Sequence, residues 1–195
     1  MLPAEATKAL KPEVEIFEIS EEKRLRALFR HIVSLPTPAP ANVPSTEGLN
    51  PLFRVIQLAL QLGCRYVIAE PYISTDYHDE FGTCYCRMFR DIPKSCCRLH
   101  FFGDFKKSFR KYHLFSLPKE ARKAYLGYSV IRPIGAFRVG DTVLQSPFLT
   151  GMADLVHCQS RYQVHLFGEA LEIRGMPFIQ QDTHVGVCAH ADLWM

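Results

Sequence analysis

Apolar residues recur at helical spacing over residues 20–35, where Leu25, Leu28, Phe29 and Ile32 share one face. Glu21 and Glu22 near the start and Arg30 and His31 near the end suit the helix dipole. Four prolines in residues 36–44 then forbid helix or sheet, which predicts an extended linker and an ordered domain from about Ser45. Asn50-Pro51 is a cap followed by a first-turn proline, and Leu52, Val55, Ile56, Ala59 and Leu60 fall on one face of a helix that Gly63 ends. A β-branched apolar run at 65–70 predicts a strand stopped by Pro71. Residues 75–89 predict a second helix, weakened at Gly82 by about 1 kcal/mol relative to alanine.

Further strands are predicted over 98–102 and over 127–132, the latter ended by Pro133, with a short helix over 117–124 between them. Residues 139–148 and 161–174 read as two more strands, the second bent at Gly168, before Gly175-Met176-Pro177 breaks the chain. The alternation of helix and strand predicts an α/β fold, with α+β as the alternative: a mixed sheet with flanking helices. The expected organisation is an N-terminal helix and linker (1–44), an α/β domain (45–175), and a C-terminal segment (176–195).

Composition changes this picture little. Apolar residues make up 48% and charged residues 22%, and a net charge of +3 is too small to argue for nucleic acid or an acidic membrane. No apolar run approaches the roughly 20 residues needed to span a bilayer, and no membrane partner is expected. The first residues lack the charged and apolar regions of a secretory signal, and seven cysteines, an odd count, fit reduced thiols. The expected compartment is cytoplasmic.

The candidate chemistry lies in residues 178–195, where Gln180 and Gln181 precede Gly186, Cys188 and a small-residue helical start, Ala189 and Ala191. A cysteine at a helix N-terminus is stabilised as thiolate by unpaired N–H groups and the dipole. A glutamine amide upstream can add its N–H to that of the cysteine as an oxyanion hole. This segment resembles the nucleophile region of papain-like and bacteriocin-leader-type cysteine peptidases. The resemblance implies a hydrolase cleaving amides or thioesters through an acyl-enzyme, with Cys188 as nucleophile, Gln181 in the oxyanion hole, and Gln180 as a weaker candidate for that role. Gln181 lies seven positions before Cys188, one more than usual in papain-type enzymes, and His190 stands where a smaller residue would be more comfortable. The motif stops seven residues after Cys188, so a catalytic core incomplete and inactive alone is expected.

A thiol nucleophile needs a histidine base. His184 and His190 are sequence neighbours of Cys188, which seldom serve; His100 and His165, on predicted strands, are the candidates. Residues 65–133 are also similar to an uncharacterised bacterial protein family, through Ala69-Glu70-Pro71-Tyr72, Arg98–Phe102 and Gly127–Pro133. That similarity implies an α/β region preceding a cysteine-peptidase-like segment.

Two other constellations compete. Glu70, Asp76 and Asp79 cluster where a strand end would place a ligand, although carboxylates there more often cap a helix. Cys84, Cys86, Cys96, Cys97 and His100 lack the spacing of a zinc knuckle, so no metal and no cofactor is expected. Basic and aromatic residues interleave over 100–113, which could stack bases, but Phe105, Phe109 and Tyr112 at helical spacing fit core cover better. The expected partner is a peptide or protein substrate rather than nucleic acid. The competing reading is a non-catalytic α/β binding or regulatory domain, touching nucleic acid through 100–113 if at all.

Overall fold

The computed structural model describes residues 14–19, 28, 51–88, 92–105, 117–134, 138–145 and 159–179. Helices flank a sheet, as the alternation predicts. The sheet has seven strands in the order β1-β2-β3-β4-β5-β7-β6, and all six pairings are antiparallel. In chain order these are β1 (Glu15–Glu18), β2 (Tyr66–Tyr72), β3 (Cys96–Phe102), β4 (Tyr125–Arg132), β5 (Arg138–Gln145), β6 (Ser160–Leu166) and β7 (Glu169–Phe178). Among the described residues the α-helices of defined extent are α1 (Pro51–Gln61), α2 (Thr75–Thr83) and α3 (Lys119–Lys123).

Side chains alternate across each strand, so the sheet builds a core on either face. On one face, Leu52, Val55, Ile56 and Ala59 of α1 pack on Val67, Leu99, Phe101, Ile131 and Val139. Burying each of the three larger α1 side chains contributes about 1.5–3 kcal/mol. Leu28, from the predicted N-terminal helix, is wholly buried in the same cluster. On the other face the sheet curls. Val164, Leu166, Leu171 and Ile173 of the β6–β7 hairpin join Tyr66, Phe102, Tyr125 and Val143 in one core, with Tyr77 of α2 and Ala121 of α3. An Arg122–Glu169 ion pair (2.9 Å) also links α3 to the hairpin tip.

Several boundaries differ from the sequence reading, each for a local reason. β2 runs through Pro71 to Tyr72, because β1 pairs only with Tyr66–Ala69 and Pro71 meets no strand on that side among the described residues. The same holds for Pro177: β7 continues to Phe178, while its pairing with β6 stops at Gly175. Gly175 is no chain break; it lets β5 approach, since a Cβ there would strike the Leu144 carbonyl oxygen. The strand expected over 161–174 is two strands. Phe167 (φ 52°) and Gly168 (φ 82°) form a two-residue reversal with both residues left-handed, the signature of a type I′ hairpin. The helix expected over 75–89 ends at Thr83, one residue past Gly82, and a 3₁₀ turn at Tyr85–Arg87 follows. β1 lies within the stretch read as helix and linker; its four residues are half-buried and too few to show a period. The proline-rich stretch lies outside the described residues.

Candidate functional site

The curled face holds a polar network that begins with register. Glu70 on β2 pairs opposite Arg98 on β3, and His100 lies two residues along on the same face. Arg98 donates to Glu70 Oε1 from Nε (2.8 Å) and Nη2 (2.5 Å), and from Nη2 to the His165 carbonyl on β6 (2.8 Å). Its guanidinium stacks over the Tyr72 ring at 4.1 Å. Both side chains are nearly covered, at 11% and 13% exposure.

His100 is wholly buried, with Nε2 at 3.0 Å from Glu70 Oε1 and Nδ1 at 3.1 Å from the Tyr125 hydroxyl. Burial outweighs the attraction of Glu70 and pushes the imidazole below its ordinary range, so it is neutral at pH 7. One tautomer then satisfies every atom: Nε2–H donates to Glu70, and Nδ1 accepts from Tyr125. For Glu70, burial acts upward, but His100 and Arg98 overcome it and hold the carboxylate below its usual range. Burial raises the Tyr125 hydroxyl well above its usual value, which keeps it a donor.

Alongside, the Tyr128 hydroxyl donates to Asp141 Oδ2 (2.6 Å), while Asp141 Oδ1 is buried without a hydrogen-bond partner among the described residues. Burial lifts the Asp141 carboxyl above its usual range, opposed by Tyr128 and Arg98. A third link, Arg132 Nη1 to both Glu80 oxygens (3.1 and 2.9 Å), ties β4 to α2. The Glu70–Arg98–His100–Tyr125 set ties β2, β3, β4 and β6, while the Tyr128–Asp141 and Arg132–Glu80 pairs tie β4 to β5 and to α2.

Of the residues singled out from sequence, Glu70 and His100 come together here. Glu70 lies inside β2 rather than at a strand end, and the sheet is antiparallel, so the strand-end argument for a ligand does not apply. Asp76 and Asp79 are exposed on α2, and Ser74 caps that helix, its side chain accepting from the Tyr77 N–H (3.3 Å). His165 is exposed on the outer side of β6 and reaches the network only through its backbone carbonyl. Cys188, Gln181 and Gln180 lie outside the described residues, as does the basic stretch 106–116. Phe105 is buried against Tyr66, with ring centroids 5.1 Å apart, as core cover requires.

The described thiols are free. Burial pushes Cys64, Cys96 and Cys97 up to about 12, which makes them inert as nucleophiles. Cys96 and Cys97 face opposite sides of β3, and among the described residues no group of three His, Cys, Asp or Glu side chains could hold a metal. No described helix is long and apolar enough to cross a membrane.

Sequence reasoning missed Arg98, Tyr125, Tyr128 and Asp141. The available signal was parity: Arg98 and His100 alternate with Cys97, Leu99 and Phe101, which marks one face of β3 as polar although both faces are covered. No family model, curated protein or solved structure matches the chain.

Proposed function

We propose that the curled sheet is a non-catalytic binding or regulatory domain preceding a papain-like cysteine hydrolase segment. In that segment Cys188 is the nucleophile and Gln181 supplies an oxyanion N–H. The substrate is an amide or thioester of a peptide or protein, cleaved through an acyl-enzyme. One observation carries the division of labour: His100, the buried histidine of the sheet, has both ring nitrogens engaged by Glu70 and Tyr125. A base must accept a proton from the nucleophile, and an enclosed imidazole held neutral by burial is poorly placed to do so. Burial that raises the thiols of Cys64, Cys96 and Cys97 to about 12 likewise argues against a nucleophile on β3 or beside α1. The base then comes from outside this network. Reduced thiols support a cytoplasmic setting.

The test is competitive labelling by a limiting amount of iodoacetamide at pH 6, read by peptide mass spectrometry. An activated Cys188 takes the label ahead of the exposed Cys86. Labelling of Cys188 no faster than Cys86 would reject the hydrolase half of the reading and leave the binding or regulatory domain.

A further inference from the structure

The β6–β7 hairpin stands out from the sheet as an arm. Among the described residues β7 pairs with β5 only over Gly175–Phe178, while Glu169–Arg174 pair with β6 alone. Two strands by themselves are marginal in water, so the arm depends on what it lies against. It folds over the curled face, where Val164, Leu166, Leu171 and Ile173 meet Tyr66, Phe102 and Tyr125. Its pivot is Gly175, where the two pairings meet and a Cβ would strike the Leu144 carbonyl oxygen.

Polar contacts fasten the arm at its tip and along its edge. At the tip Arg122 pairs with Glu169, both partly exposed. Along the edge, Leu166 and Glu169 close the two-residue turn, so the next carbonyl, that of His165, points away from β7. Arg98 Nη2 donates to it (2.8 Å). Arg98 is held in turn by Glu70 Oε1, the same oxygen that accepts from His100.

We propose that the arm is an acid-released strap: a proton taken up by His100 draws Glu70 from Arg98, Arg98 gives up the His165 carbonyl, and the arm lifts from the curled face. Neutral His100 satisfies every partner in the closed form. An imidazolium would turn Nδ1–H against the Tyr125 hydroxyl, which has no other hydrogen-bond partner among the described residues. It would also place a second cation beside Arg98 on one carboxylate oxygen, in a wholly covered space. Lifting the arm admits water and lets Arg98 turn outward, so the open form takes the proton.

The arm itself turns Tyr162, Val164 and Leu166 inward and keeps Arg161 and His165 outside. On the curled face, Glu70 of β2 and Asp141 of β5 are the other groups that could respond to acid, with the Arg132–Glu80 pair joining β4 to α2 and Asp76 of α2 exposed. Glu70 is held below the usual carboxylate range and responds only at more acid pH. Burial raises Asp141, so its titration tightens the closed form as pH falls, the opposite sign. Burial keeps the Tyr125 and Tyr128 hydroxyls protonated throughout.

Hydrogen exchange of the full chain, read amide by amide at pH 7.5 and 5.0 and corrected for intrinsic rates, tests the strap. With an open-form histidine at about 6.5, opening of β6 and Glu169–Arg174 should rise up to about 30-fold over that interval. The opening should depend little on urea and leave β3 and β4 better protected. His100→Gln should remove the rise. His165→Gln, which changes an exposed imidazole and keeps the backbone carbonyl, should retain it, and Glu169→Gln should loosen the arm equally at both pH values. If His100→Gln does not fold, the wild-type series decides alone. Arm amides that exchange only with global unfolding, opening that does not rise with acid, or a rise that survives His100→Gln or vanishes in His165→Gln would each overturn the proposal. Cys188 takes no part in the strap, so these outcomes are independent of the hydrolase reading.

Discussion

Glu70→Ala is the most informative perturbation of the network. Among the described residues it removes the only carboxylate bonded to Arg98, leaving the guanidinium with the His165 carbonyl and the Tyr72 ring. It also strands His100 Nε2–H, wholly buried, without its acceptor. Breaking a buried ion pair by deleting one partner costs about 3–5 kcal/mol. The residual exposure of 11% and 13% places this pair near the lower end. The orphaned N–H alone would cost about 1–3 kcal/mol, but it shares the neighbourhood and does not simply add. The expected loss is therefore about 3–4 kcal/mol. Glu70→Gln, which keeps an acceptor and removes the charge, should lose about 1–2 kcal/mol. Urea unfolding followed by circular dichroism measures both, provided the slope with denaturant stays constant. A Glu70→Ala midpoint equivalent to less than about 1 kcal/mol of destabilisation would refute the claim that this carboxylate anchors the curl.

The network also predicts a pH dependence. Because folding lowers the His100 pKa, the unfolded chain binds the extra proton, so stability is present above about 6.5 and falls as pH drops below it. Glu70, also lowered, adds a loss at more acid pH, as the pH falls through its folded value. His100→Gln should remove the first slope, which a pH series of urea midpoints would reveal; an unchanged slope would contradict it. At the hairpin, Phe167→Asn should stabilise by about 0.5–1 kcal/mol, since asparagine tolerates the left-handed φ of 52°, and thermal unfolding tests this. Gly175→Ala should destabilise by about 2–3 kcal/mol by forcing β5 and β7 apart, with hydrogen exchange rising first at Thr142–Gln145. Native-state alkylation at pH 8 should mark Cys86 and spare Cys64, Cys96 and Cys97 until urea unfolds the chain.

The strands that sequence located best are those with β-branched apolar runs, β2 and β4, and α1 was legible from its cap, stripe and terminal glycine. Their partners were not legible. Antiparallel pairing throughout, and the curl that brings His165 to Arg98, depend on contacts between residues 67 positions apart. Punctuation by proline and glycine misled where, among the described residues, no strand pairs on the proline's side, at Pro71 and Pro177, or where close strand approach required the glycine, at Gly175. In the network, Glu70 and His100 stood out as candidate groups for a ligand or a catalyst. Their actual neighbours, Arg98 and Tyr125, turn them into cross-strand ties, and nothing in linear spacing distinguishes the two uses.

We propose that the sheet's histidine is structural and separate from the thiol chemistry proposed for Cys188. Iodoacetamide alkylation of Cys188 across pH, in the wild-type chain and in folded His100→Gln, tests it most directly. A thiol pKa well below the ordinary value of about 8.5 is expected in both proteins. The profile should be unchanged in the variant, which loses stability but not reactivity. A profile that moves up to the ordinary thiol value when His100 is replaced would show that the network serves the nucleophile after all.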